Sequence, residues 1–207
     1  MKRIICTMLA TVFMLGCAWA EGTGTEAWKH EAGWINFSVA ITQEGTEEIW
    51  NAAAKSFSEK QGLPIVMSGK QLRDGILQGH TLENDVEALQ VEGNRFTGTK
   101  ADGTELFSHE YTQIETIDLQ GNSYFVFKTE EAGAGKYTYL LITNPAKAED
   151  GDVSYITFNL VCTENEDYAA LFNIEENGTA VAICDMIEKD TTNEGFVFAI
   201  EKMFGLR

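Results

Sequence analysis

The sequence predicts a mainly β protein with flanking helices, an α+β fold whose strands form an antiparallel barrel or sandwich. Three observations carry this expectation. Residues 123–128, 137–142 and 155–162 read as consecutive strands; in the last, Ile156, Phe158, Leu160 and Cys162 alternate with Tyr155, Thr157, Asn159 and Val161, the period-two pattern of a half-buried strand. Upstream, residues 86–91, 95–99, 106–111 and 114–119 are strand-like, with Gly93-Asn94 and Asp102-Gly103 between the first three and Gly121-Asn122 leading into 123–128, and short strands at such spacing belong to barrels and sandwiches. Helical periodicity is confined to the two ends of the chain.

Taken in order, Trp34, Phe37, Val39 and Ile41 alternate and predict a short strand or lead-in. Thr46 is placed as a helix N-cap, with Glu47 and Glu48 in the first turn, where the helix dipole favours acids. Ile49, Trp50, Ala53, Ala54 and Phe57 make the apolar stripe, and Gly62 with Pro64 ends the helix. A second helix starts at Ser68, with Gln71 completing a capping box, carries Leu72, Ile76 and Leu77, and stops at Gly79. Residues 130–135 and 144–152 are read as turn-rich links between antiparallel neighbours. After Cys162 the pattern predicts a strand over 168–174, a helix from Asn177-Gly178-Thr179 through Ile187, and a last helix over 194–204 with Phe196, Ile200, Met203 and Phe204 on one side. Only Pro64 and Pro145 occur, which argues against a long linker, and 207 residues suit one domain with a sizeable core.

The first twenty residues stand apart. Lys2 and Arg3 precede an apolar run over 4–16, and Ala18-Trp19-Ala20 is a small-x-small cleavage site before Glu21. Residues 1–20 are therefore expected to be a secretory signal peptide and 21–207 a single domain. Leu15-Gly16-Cys17 offers an alternative, a lipid anchor at Cys17 holding the chain to a membrane. No other stretch has the length and apolarity of a spanning helix. Loss of residues 1–20 removes two basic residues, leaving 13 basic against 32 acidic and a net charge of −19. Such a surface repels nucleic acid and anionic lipid and gathers cations loosely. Cys162 and Cys184 remain as an even pair in an oxidising compartment, either a disulfide or two buried free thiols.

At this point the chain resembles the ZinT (YodA) family, exported bacterial zinc-binding proteins with a lipocalin-like calycin barrel. Leu82-Glu83-Asn84-Asp85-Val86-Glu87-Ala88-Leu89-Gln90-Val91 resembles the family's Y-A-T-D-I-E-x-I-x-I strand. Lys136-Tyr137-Thr138-Tyr139-Leu140-Leu141 resembles its G-V-R-Y-L-F strand, and Asn144-Pro145 with Tyr155-Ile156-Thr157-Phe158 resembles its D-P-x-S-x-A-P-K-Y-I-Q-F segment. The resemblance implies a calycin barrel with N- and C-terminal helices, a periplasmic location, no enzymatic activity, and zinc binding or trafficking. The family's ligands do not carry over. Where it has a histidine after the Tyr-x-x-Phe strand, this chain has Asn159-Leu160-Val161-Cys162; where it has H-x-H, the next stretch read as strand is Tyr168-Ala169-Ala170-Leu171-Phe172-Asn173. Near the positions of the family's paired cysteines stand His109 and Thr143.

Any metal site must then be built from other residues. The histidines are His30, in the polar start, His80, in a loop, and His109, on a strand. His109 is the best-held candidate ligand, because strands fix side chains more firmly than loops. The acidic runs Glu149-Asp150-Gly151-Asp152 and Glu164-Asn165-Glu166-Asp167 lack the spacing of a calcium loop and read as solvated links. No nucleophile elbow, Cys-His pair or phosphate loop is present. A second class of function would use the barrel interior for a small apolar ligand or the surface for a protein partner. Phe125, Phe127, Tyr137, Tyr139 and Phe158 would either line such a cavity or fill it as core.

Overall fold

The computed structural model describes residues 24–77, 86–168, 170–172 and 183–206. Along them run β1 (Trp34–Asn36), α1 (Phe37–Thr42), α2 (Glu47–Lys60), α3 (Gly69–Leu77), β2 (Ala88–Glu92), β3 (Arg95–Thr99) and β4 (Glu105–Glu110). β5 (Thr112–Leu119), β6 (Asn122–Lys128), β7 (Tyr139–Thr143), β8 (Ala146–Asp150), β9 (Val153–Thr163), β10 (Cys184–Glu188) and α4 (Asn193–Met203) follow. The strands make one sheet in the order β4-β3-β2-β1-β10-β9-β7-β6-β5, with β8 beside the first half of β9, and every pairing is antiparallel. It curls into a half-barrel of calycin type. Phe96 of β3 lies 5.3 Å from Phe127 of β6, and the Tyr111 hydroxyl donates to the Tyr137 carbonyl at 2.5 Å, so the two flanks of the sheet meet across the interior.

Alternation along the strands sorts the apolar residues onto two faces. The inner face buries Trp34, Leu89, Phe96, Phe107, Tyr111, Phe127, Tyr137, Phe158 and Met186 in one cluster, which Trp28 joins from the N-terminal segment. Each such side chain contributes roughly 1.5–3 kcal/mol by leaving water. On the outer face, Ile35, Tyr155 and Ile187 pack against the helices through Ile41, Trp50, Ala53, Phe198 and Ile200. A smaller outer cluster holds Tyr124, Val126, Tyr139, Leu141 and Phe172. Of the aromatics expected to line or fill the barrel, Phe127, Tyr137 and Phe158 fill it and Phe125 packs partly buried against them, while Tyr139 faces outward.

Several local expectations change. The apolar alternation at 34–41 yields only three residues of strand. Asn36 then turns the chain, its side chain accepting from Ser38 N–H at 3.0 Å and opening α1. Thr46 does precede α2, but its hydroxyl donates to the Gln43 carbonyl at 2.8 Å instead of capping the helix. The Ser68–Gln71 box forms, with Ser68 N–H donating to Gln71 Oε1 at 3.0 Å and Gln71 N–H to Ser68 Oγ at 3.2 Å. The link at 144–152 contains β8, an exposed strand without apolar alternation. Residues 170–172 form a 3-10 turn instead of strand. The helix expected through Ile187 gives way to β10, because Cys184–Glu188 pairs with β1 on one side and β9 on the other. That places β10 at the centre of the sheet. Gly79, His80, Cys17 and the 177–182 part of the expected helix lie outside the described residues.

Candidate metal centre

His30 reaches its place through its neighbours. Residues Thr25–Trp28 form a 3-10 turn, and Trp28 is buried with its indole N–H donating to the Thr143 carbonyl at 2.9 Å. The ring meets Phe125 and Phe127 edge-on, with centroids 5.3 and 5.4 Å away. Two residues later the chain reverses in a turn closed by Gly33 N–H donating to the His30 carbonyl at 3.0 Å. The same carbonyl accepts from Gln90 Nε2 at 3.3 Å. Gly33 has φ +75°, and a Cβ there would stand 2.3 Å from Gln90 Oε1 and 3.1 Å from the Leu89 carbonyl, so the turn needs glycine.

Sheet register then delivers the carboxylates. Trp34 pairs with Glu188 across β1 and β10, and Lys189 N–H donates to the Gly33 carbonyl at 3.1 Å. This sets the end of β10 and the following turn against the His30 ring. His30 Nε2 lies 3.2 Å from Glu188 Oε1 and 3.7 Å from Asp190 Oδ1, and one ligand atom from each residue falls within 4.8 Å of the others. Their side chains are 25%, 17% and 63% exposed, so the cluster sits on the rim with Asp190 toward solvent. Burial pushes the Glu188 carboxyl above the usual range; His30 opposes this and Asp190 adds to it.

Among the described residues, His30, Glu188 and Asp190 are the group of three or more His, Cys, Asp or Glu side chains whose atoms converge in this way. One imidazole and two carboxylates suit a borderline divalent cation such as zinc, with water completing the shell. A second feature marks the same place. The buried side-chain polar atoms lacking a hydrogen-bond partner among the described residues are His30 Nδ1 and Thr191 Oγ1, one on a candidate ligand and the other next to one. With Nε2 given to a metal, the ring proton must sit on Nδ1, which has no acceptor to orient it. The donor set, one imidazole nitrogen and two carboxylate oxygens, fits zinc.

The other candidates separate. His109 Nδ1 lies 3.0 Å from Glu131 Oε2, whose other oxygen accepts from Glu110 N–H at 2.8 Å. Those bonds, the backbone one foremost, hold the Glu131 carboxyl below its usual range. No third ligand converges there among the described residues, and the pair ties β4 to the 129–137 loop. No disulfide joins Cys162 and Cys184, which stand on the adjacent strands β9 and β10. Both face the inner core, and burial pushes the Cys162 thiol up to about 12. In the acidic links, Glu149 pairs with Lys147 at 2.7 Å and Glu166 accepts from the Tyr139 hydroxyl at 3.1 Å. In the stretch Asn159-Leu160-Val161-Cys162, which corresponds to the family histidine, Leu160 and Val161 are buried and offer no lone pair. Outside them, Asn159 Nδ2 donates to Asp185 Oδ1 at 2.5 Å.

No protein-family model matches the chain, and no curated protein matches it. Among solved structures it is similar to the Zn(II)-bound ZinT-like domain of Streptococcus pneumoniae AdcA, with a TM-score of 0.53 and 13% identity over 86% of this chain and 89% of that one. Zn(II)-bound AdcA from the same organism aligns with a TM-score of 0.48 and 11% identity, over 90% of this chain and 37% of the other. Identity this low concerns architecture, not ligands. The chain has the half-barrel fold of a ZinT-like domain.

Proposed function

We propose that this protein is an exported, non-enzymatic zinc-binding or zinc-trafficking protein of the ZinT kind, a single domain after a signal peptide, which holds its ion at His30, Glu188 and Asp190. The carrying observation is the convergence of those three side chains, one nitrogen and two oxygens within 4.8 Å. The zinc in the structurally similar ZinT-like domain supports the choice of metal. The relocation follows from the β9 and β10 residues, which supply no histidine. A surface of net charge −19 after signal removal concentrates cations near the rim. The interior is filled by its own aromatics, which disfavours an apolar ligand.

Thermal unfolding with zinc, with cadmium and with chelator tests the reading. A native site stabilises by RT ln(1 + [L]/Kd), about 2.7 kcal/mol at a hundredfold excess over Kd. The midpoint is expected to rise with zinc in the wild type and in His109→Ala, and to stay put in His30→Ala and Glu188→Gln. A rise lost only in His109→Ala would move the site to β4, and no rise in the wild type would end the zinc reading.

A further inference from the structure

Trp28 belongs to no strand, yet it is 1% exposed and lies in the inner core of the half-barrel. It is the middle anchor of a strap over residues 25–33 that crosses the barrel mouth. Ahead of it, the Thr25 hydroxyl donates to the Gly93 carbonyl in the β2–β3 turn. At Trp28 itself, the indole N–H bonds to Thr143 at the end of β7, and the Trp28 carbonyl accepts from Trp34 Nε1 at 2.7 Å. Beyond it, His30 meets Glu188 of β10 and Asp190 just after. The strap thus touches the sheet at the β2–β3 turn, at β7, at β1 and at the end of β10, where the candidate ligand His30 meets Glu188 and the Gly33 carbonyl accepts from Lys189 N–H.

Only Lys29 stands between Trp28 and His30, and two residues of fully extended chain span at most ~7 Å. Trp28 and His30 are thus anchors of one short strap: lifting the strap from the barrel mouth takes both from the sheet, while an ion bridging His30, Glu188 and Asp190 would hold it down. We propose that the seating of Trp28 and metal binding at His30 are one coupled equilibrium: Trp28 is a positioning residue for the metal centre, and the bound ion locks the strap across the barrel mouth. This rests on the zinc reading above and adds its regulation. Coupling of this kind is reciprocal, so whatever factor the seated indole adds to zinc affinity, zinc adds to the seating of the indole.

The test is a zinc titration of wild type, Trp28→Ala, Trp28→Phe and Glu188→Gln, with amide exchange of the strap followed with and without zinc. Trp28→Ala is expected to bind zinc about tenfold more weakly although it removes no ligand, in the range usual for such coupling. Trp28→Phe, which keeps an aromatic in the core, should recover most of that. In the wild type zinc should slow exchange at Gly33 and its neighbours, and in Glu188→Gln it should not. Equal zinc affinity in Trp28→Ala and wild type, or strap exchange unmoved by bound zinc, overturns the coupling and leaves the zinc site standing. If the wild type binds no zinc, both fall. Should Trp28→Ala fail to fold, wild-type exchange and Trp28→Phe decide the matter alone.

Discussion

Asp185 shows how one side chain sets a pH dependence. Cys184 and Met186 point into the inner core, so Asp185 between them stands on the outer face of β10, beside Asn159. Burial pushes its carboxyl from an ordinary 3.8 up to about 6, with the Asn159 amide opposing. A carboxyl raised on folding favours the folded state when protonated. That contribution is complete below about 3.8 and is lost as pH rises through about 6. The charge carried at neutral pH thus costs roughly 2–3 kcal/mol. Asp185→Asn keeps the oxygen that Asn159 uses and removes the charge. In urea unfolding it should be more stable than wild type by about that amount at pH 7, and the two should converge near pH 4. Equal stability at both pH values would place Asp185 in a better-solvated setting than its neighbours indicate. Neither this residue nor His30 was legible as special in the sequence. His30 sits in a short aperiodic stretch, and Glu188 and Asp190 lie at the other end of the chain, so the trio exists only through the pairing of Trp34 with Glu188. His109 was favoured because strands hold ligands well; its strand does hold it, but against Glu131.

Elements were legible where their own periodicity decides them. β9 alternates strongly and is found over Val153–Thr163; α2 begins at its first-turn acids Glu47 and Glu48, without the Thr46 cap, and α3 follows its Ser68–Gln71 box. β8 escaped notice because an exposed edge strand has no apolar face to show, and Ala146–Asp150 is held by β9 alone. The sequence predicts helix at β10 because Ala180 and Ala182 ahead of it favour helix locally, while ladders on both sides outweigh that preference. The last helix teaches the same lesson about caps. Its N-cap is Thr192, whose Oγ1 accepts from Gly195 N–H at 3.1 Å. Thr192→Ala should therefore cost about 1 kcal/mol and leave the proposed zinc site at Asp190 unaffected. A change under ~0.3 kcal/mol would mean that packing against β9 and α2, through Phe198 and Ile200, holds α4 with no help from the cap.

For the whole molecule, the decisive feature is a central sheet packed on both faces, with core inside the half-barrel and helices outside it. Cys162 and Cys184 lie on the inner face of adjacent strands, so they report on whether that interior opens in parts or all at once. The thiolate is the reactive form; burial holds the Cys162 thiol near 12, and Cys184 is 3% exposed. In a protein of residues 21–207, both should resist iodoacetamide in native buffer at pH 8 and react together in denaturant, adding two labels to the intact mass. Failure to label in denaturant until a reductant is added would show instead that the pair is closed into a disulfide. If labelling requires global opening, its rate follows the unfolded fraction. Zinc at a hundred times its Kd should then slow it about a hundredfold, although the rim site touches neither sulfur. Labelling of Cys162 ahead of Cys184, indifferent to zinc, would mean that the β7–β9 seam opens locally. In that case the half-barrel is not one cooperative unit, and stabilising its rim would not protect its core.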